Sequence, residues 1–114
     1  MAKYERRLNG NFDEIINWIH QDITNGSASV SYEDGSDIIM GDMKLAVRVY
    51  ERYSMSGGNR VSLNITIFGN GEDIFISAIT SGGSRAVFFK FNTMGEETFL
   101  DLCSNSVENY IQSH

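Results

Sequence analysis

The chain has 114 residues, of which 41% are hydrophobic and 21% are charged, and this is the size and composition of one globular domain, 1–114. Its formal net charge of −6 argues against general binding to nucleic acid or to anionic membranes. Its one cysteine, Cys103, excludes an intramolecular disulfide and a cysteine-rich zinc site. We recognise no signal peptide and no apolar run of membrane-spanning length, so we expect a cytoplasmic protein.

The first part of the chain predicts a strand followed by a helix. Residues 3–8 alternate, with Tyr4, Arg6 and Leu8 on one side and charged residues on the other, as a half-exposed strand does. Asn11 is the expected N-cap, with Glu14 as its capping-box partner, and Asn25-Gly26 predicts a left-handed C-terminal cap. The apolar stripe at helical spacing consists of Phe12, Ile15, Ile16, Ile19 and Ile23.

From residue 27 onward the hydrophobic period changes to two, which predicts strands joined by short turns. Turn sequences occur at 33–36, 56–59, 69–71 and 81–84. Short connections force sequential strands to pair antiparallel, so the sheet is predicted to be a meander. Residues 37–42 leave two interpretations open, a short edge strand or a loop under the core, and residues 85–91 are predicted as the last strand.

A second helix, beginning near Thr93, closes the chain. Thr93 and Glu96 have the spacing of a capping box, although Asn92 is an alternative cap. The buried stripe is predicted to be Phe99, Leu100, Cys103, Val107, Tyr110 and Ile111. The order β-α-β(4-5)-α predicts an α+β fold, a two-layer sandwich in which an antiparallel meander sheet packs against two helices.

Alternation along the strands predicts which side of the sheet faces the helices. The inward residues are predicted to be Leu45, Val47, Val49, Val61, Leu63, Ile65 and Ile67. The opposite face then carries an aromatic patch larger than a soluble monomer normally exposes, which predicts a homodimer. The candidate interface residues are Arg48, Tyr50, Phe68, Phe75, Ile79 and Phe88. Curling of the sheet, or coverage of the patch by residues 34–43, is the alternative.

The sequence repeats a Ser-Gly-Gly-x-Arg turn, at 56–60 and at 81–85. Alternate turns of a meander lie at one end of the sheet, where exposed N–H groups and guanidinium groups suit a small anionic ligand. The candidate ligand-binding residues are Ser56, Gly57, Gly58, Arg60, Ser81, Gly82, Gly83 and Arg85. The stripe from Arg48 to Arg52 is a second candidate anion site. Alternatively, both hairpins need glycine for positive φ and the arginines keep the sheet end soluble.

No residue pattern predicts a catalytic centre, a metal or a cofactor. His20 and His114 have no second ligand at metal spacing, and His20 is most simply an exposed helical residue. The glycine-rich segments do not precede a helix as a phosphate-binding loop does. We therefore expect a non-enzymatic binding domain, and an enzyme that uses Glu51, Arg52 and Tyr53 is the weakest of the alternatives.

Taken whole, the chain resembles a family of short bacterial proteins of unknown function. The segments that carry the resemblance are 41–42, 46–53, 57–65, 71–73, 77–84 and 86–90. This resemblance covers most of the chain and implies no known activity and no known catalytic residues. In element order alone, the chain is also similar to helix-grip ligand-binding domains, which implies a pocket between the sheet and the C-terminal helix.

Overall fold

The computed structural model describes residues 1–26, 29–53, 60–82 and 89–114, with side chains from residue 96 onward in the last range. The elements are β1 (Ala2–Asn9), α1 (Phe12–Asn25), β2 (Val30–Met40), β3 (Met43–Tyr53), β4 (Arg60–Asn70), β5 (Asp73–Gly82) and α2 (Phe89–Ser113). This order confirms the predicted α+β class. Neither of the two described helices is long and apolar enough to cross a bilayer.

The five strands form one antiparallel sheet in the order β1-β5-β4-β3-β2. Strands β2 to β5 are the predicted meander, because each pairs with its neighbour in sequence. Strand β1 adds at the far side and pairs with β5, from Ala2 opposite Thr80 to Asn9 opposite Asp73. Both helices pack on the same side of the sheet, which we call the inner face; the other side is the outer face.

The core lies between the inner face and the two helices. Strand β4 alternates as predicted, with Val61, Leu63, Ile65 and Ile67 all buried. The buried helical residues are Phe12, Ile15, Ile19, Ile23, Phe99, Leu100, Cys103, Val107 and Tyr110. Each large apolar side chain buried in this way contributes about 1.5–3 kcal/mol, so the two stripes hold both helices on the sheet.

The two ends of α1 differ in how well the sequence predicts them. At the N-terminus the side-chain oxygen of Asn11 accepts a hydrogen bond from the Glu14 N–H at 2.9 Å, which confirms Asn11 as the N-cap. The predicted capping box is not formed, because the Asn11 N–H donates to the Tyr110 hydroxyl. At the C-terminus the prediction of a left-handed cap is wrong, because Gly26 has φ of −79°. Its N–H donates to the Ile23 carbonyl at 3.3 Å, so the last turn tightens without a left-handed residue.

The predicted turn at 33–36 is also wrong, because β2 runs through it as an edge strand with a bulge between Tyr32 and Asp34. Of the two interpretations of 37–42, the edge strand is correct. A Cβ at Gly35 would meet the Tyr32 hydroxyl and, at 2.9 Å, the Val47 carbonyl oxygen. Gly35 therefore permits a close approach within the sheet and does not make a turn.

The predicted orientation of β3 is inverted. Tyr50 is 1% exposed and pairs with buried Leu63, so its side chain faces the helices. Directly paired residues share a face of the sheet, and the alternate residues of β3 therefore point outward. The residues wrongly predicted to point inward are Leu45, Val47 and Val49. Both faces of β3 carry apolar residues, so alternation alone does not decide its orientation.

Helix α2 begins at Phe89, earlier than the predicted start near Thr93. The predicted strand 85–91 is therefore wrong over 89–91, and 85–88 lies outside the described residues. The apolar run there is equally compatible with a strand and with a buried helical segment, and short runs of this kind do not distinguish the two.

Candidate functional site

The outer face is the largest surface of the sheet that no described helix or strand covers. Its side chains come from alternate positions of all five strands, as the cross-strand register shows. Its central residues are Asp34, Ser36, Ile38, Leu45, Val47, Val49, Asn64, Thr66, Phe68, Phe75, Ser77 and Ile79. A sheet face on which none of the described elements packs is a candidate binding surface.

An apolar row runs across four of the five strands on the outer face, from β2 to β5. The register aligns Ile38 with Leu45, Leu45 with Phe68, and Phe68 with Phe75, and we call these four residues the apolar row. Ile38 and Phe75 are 47% and 39% exposed. Exposed Ile79, Met40 and Met43 extend the apolar surface beside it. The predicted neighbourhood of Phe68 and Phe75 is thus present, while Phe88 lies outside the described residues.

Charged groups border the apolar row at the β1 edge. The Arg7 guanidinium donates two hydrogen bonds to the Asp73 carboxylate, at 2.9 and 2.6 Å. These bonds lower the pKa of Asp73 from its ordinary value. Arg7 is directly paired with Phe75, so the ion pair stands next to the end of the row. The result is an apolar centre with a polar border, as protein interfaces have.

Two of the candidate interface residues lie on the other side of the sheet. Arg48 and Tyr50 belong to the inner face, so the prediction that they share a face with Phe68 is wrong. The Arg48 guanidinium donates to the Asp37 carboxylate at 3.0 Å and to backbone carbonyl oxygens. The cause is the inverted orientation of β3, which also moves the stripe from Arg48 to Arg52 under the helices.

Most of the repeated glycine turns fall outside the described residues, namely Ser56, Gly57, Gly58, Gly83 and Arg85. The other candidates, Arg60, Ser81 and Gly82, lie on described strands. Gly82 at the end of β5 pairs with Val61, which follows Arg60 at the start of β4. The strand ends next to the two turns therefore meet at one end of the sheet, as expected.

Arg60 is surrounded by groups that neutralise its charge. Its guanidinium forms ion pairs with the carboxylates of Glu51 and Glu33 and lies 5.1 Å from the centre of the Tyr53 ring. Glu51 and Tyr53 are therefore on the outer face, whereas the Arg52 guanidinium lies against the ring of buried Phe99. Glu51 follows the alternation of Leu45, Val47 and Val49, so its predicted inward orientation is inverted with theirs. Glu51, Arg52 and Tyr53 therefore do not converge on one site.

A groove of about 410 Å³ lies between α1 and the β2–β3 hairpin, on the inner face. Its cationic residues Lys44 and Arg48 are each paired with a carboxylate, of Asp13 at 3.8 Å and Asp37 at 3.0 Å. The groove consequently offers no net positive charge to an anion. Within the described residues, no group of three or more His, Cys, Asp or Glu side chains is placed to hold a metal ion.

A cluster of rings under α1 was not found by sequence reasoning. His20, expected to be exposed, is half-buried, and its Nδ1 lies 2.9 Å from the Tyr50 hydroxyl oxygen. The His20 ring also meets the Tyr32 ring edge-on at 5.4 Å. Burial raises the pKa of Tyr50 to about 12, so its hydroxyl stays neutral. In the sequence, the only indication that His20 is partly buried is its position directly after Ile19, which belongs to the predicted apolar stripe.

Comparison with known families identifies the chain only at the family level. A family model described as "Family of unknown function (DUF6054)" matches residues 1–111. The chain belongs to this family. No curated protein and no solved structure gives a significant match. This match confirms the resemblance to a family of unknown function seen in the sequence, and it supplies no activity for the chain.

Proposed function

We propose that this chain is a non-enzymatic cytoplasmic association domain that forms a homodimer through the outer face of its sheet. The observation that carries the proposal is the apolar row, four aligned apolar side chains that cross a sheet face with no described element packed on it. A soluble protein gains from covering such a surface, because burial of apolar area in water is favourable. A second copy carries the same row and is always present.

The dimensions of the face suit a dimer. Strands of 10 or 11 residues, at about 3.3 Å per residue, extend roughly 30 Å along the face. Five strands about 4.8 Å apart extend it by roughly 20 Å in the other direction. Full coverage would bury about 600 Å² or more on each copy, at the lower end of the range for stable interfaces.

The edges of the sheet are poorer association sites than its face. The exposed edge of β2 is interrupted by the bulge at Tyr32/Asp34 and carries Asp37, and the β1 edge carries alternating charges. Bulges and charges are the features that prevent edge-to-edge pairing. Association by extension of the sheet is therefore disfavoured, and face-to-face packing remains.

The chemistry of the reactive groups supports a non-enzymatic role. Cys103 is fully buried, and burial raises the pKa of its thiol to about 12, which makes it a poor nucleophile. Binding of a small anion is the weaker candidate, because the described arginines Arg48 and Arg60 are already paired with carboxylates. The net charge of −6 also opposes binding to nucleic acid.

Light scattering coupled to size exclusion, over a range of concentrations, tests the proposal. We expect a dimer for the natural chain and a shift to monomer for Phe68→Ser and Phe75→Ser. Loss of one buried phenylalanine on each copy should raise the dissociation constant by about tenfold or more. The matched control is Ile39→Ser, because Ile39 is 70% exposed but lies on the inner side of β2.

Thermal unfolding of each variant separates loss of association from loss of folding. A natural chain that is monomeric at all concentrations, with Phe75→Ser behaving identically, would contradict the dimer.

A further inference from the structure

The symmetry of a face-to-face dimer leaves two choices of axis. Two copies of one surface are related by a two-fold axis that lies in the plane between the sheets. The strands of packed sheets stay within about 30° of each other, so the axis runs close to the strand direction or close to the perpendicular direction. Because β4 is the central strand of five, an axis along β4 places β1 over the partner's β2. An axis across the strands places β1 over the partner's β1.

The charges at the two edges of the outer face differentiate these choices. One cross-strand row runs from Lys3 on β1 through Ile79, Asn64 and Val49 to Asp34 on β2. The row thus begins with a cation and ends with an anion. Rotation by a half-turn about β4 brings Lys3 opposite the partner's Asp34, and the same operation creates the pair a second time.

An axis along β4 matches three of the four residues of the apolar row, whereas the fourth, Ile38, then faces the partner's Arg7. Phe68 then meets Phe68 of the partner subunit on the axis, and Phe75 meets the partner's Leu45. An axis across the strands places the apolar residues of one copy opposite those of the other copy only if the axis runs along the apolar row. It then sets Arg7, at the end of that row, opposite Arg7 of the partner subunit.

We infer that the dimer axis runs along β4 and that Lys3 pairs with the partner's Asp34 at both edges of the interface. This inference rests on the proposed self-association. Packed sheets lie about 10 Å apart, a gap that a lysine and an aspartate side chain bridge together. Among the described residues Lys3 forms one exposed ion pair, to Glu5 at 4.0 Å, and such pairs are weak enough to exchange.

Charge reversal tests the axis. In Lys3→Asp two aspartates face each other at both edges, and in Asp34→Lys two lysines do. We expect each variant alone to dimerise about five- to tenfold more weakly at low salt, with the difference shrinking at high salt. An equimolar mixture of the two variants restores both pairs, so heterodimers should form with an affinity near that of the natural chain. The double variant Lys3→Asp/Asp34→Lys should likewise dimerise normally.

Cross-linking gives a second readout that does not depend on charge. If the axis follows β4, every outward residue of β4 faces its own copy. Ser62→Cys and Thr66→Cys should then both be joined to their own copies by a short bis-maleimide. An axis across the strands allows this for one of them at most. The buried thiol of Cys103 does not compete for the reagent.

The two proposals fail in different ways. If the natural chain dimerises but the mixture of charge variants shows no recovery, the axis is wrong and the self-association stands. If the natural chain stays monomeric at every concentration, the self-association itself is wrong.

Discussion

The hydroxyl oxygen of Tyr50 lies 2.9 Å from Nδ1 of His20, and this contact joins the centre of β3 to the middle of α1. Among the described residues, Tyr50 and Tyr110 are the two largest of the fully buried side chains, and Tyr50 has 1% of its surface exposed. A buried hydroxyl without a partner is costly, so His20 satisfies the one polar atom that this side chain brings under the helices.

Removing the hydroxyl should therefore destabilise the fold. We expect Tyr50→Phe to lower the free energy of unfolding by about 1 kcal/mol, since the half-buried His20 nitrogen loses its partner. Tyr53→Phe is the matched control, because Tyr53 is an exposed tyrosine of the same strand. Urea unfolding of Tyr50→Phe, His20→Ala and His20→Ala/Tyr50→Phe measures the coupling, and strictly additive effects would contradict the role of the pair.

Stability should fall in acid through Glu108. This carboxylate accepts hydrogen bonds from the Tyr4 hydroxyl and the Arg6 guanidinium, and the bond from Tyr4 lowers its pKa most. A pKa that is lower in the folded chain means that the stabilisation is complete above the ordinary value of 4.5 and is lost as the pH falls through the folded-state value.

Unfolding of Glu108→Gln over a pH series should accordingly show a shallower loss of stability below about pH 4.5. Asp101→Asn, which removes an exposed carboxyl group from the same helix, serves as the control for the loss of one surface charge. Equal slopes in the natural chain and in Glu108→Gln would show that these bonds contribute nothing.

The Cys103 thiol should be inert in the folded protein. It is fully buried, and its pKa is raised to about 12 by that burial. We expect no reaction with a disulfide-exchange reagent near pH 8 until denaturant is added, when one thiol per chain should react at once. Rapid labelling without denaturant would mean that α2 detaches from the sheet.

A side chain at Gly35 should be poorly tolerated. A Cβ there would stand 2.9 Å from the Val47 carbonyl oxygen and 3.1 Å from the Arg48 side chain. Because the carbonyl is part of the sheet, we expect Gly35→Ala to cost about 1–3 kcal/mol by overpacking. Ser36→Ala, on the exposed next position, should be nearly neutral in the same thermal unfolding measurement.

The sequence predicts the elements better than their orientation. The stripes of α1 and α2 and the alternation of β4 have a single apolar side, so their buried residues follow directly from periodicity. Strand β3 offers Leu45 and Val47 on one side and Ala46 and Tyr50 on the other, and only pairing with β4 decides between them. The pairing of β1 with β5 joins residues far apart in sequence, so no local pattern near β1 predicts it.

The sequence likewise predicts only part of the candidate site. Phe68 and Phe75 belong to strands with clear alternation, and their adjacency on the outer face could be derived. Arg48 and Tyr50 were misplaced together, because one inverted strand moves every side chain to the other face. Ile38, at the end of the apolar row, was hidden because Gly35 looks like a turn residue in sequence but lies within β2.

The pairing of β1 with β5 has a consequence for how the chain folds. On the ribosome, β1 is synthesised before the other four strands, yet Ala2 has no partner until Thr80 has emerged. The hairpins of β2 to β5 close over short loops, whereas docking of β1 closes a loop of most of the chain and costs more entropy. We therefore expect the meander to form early and β1 to join late, so that mutations in β1 change mainly the unfolding rate.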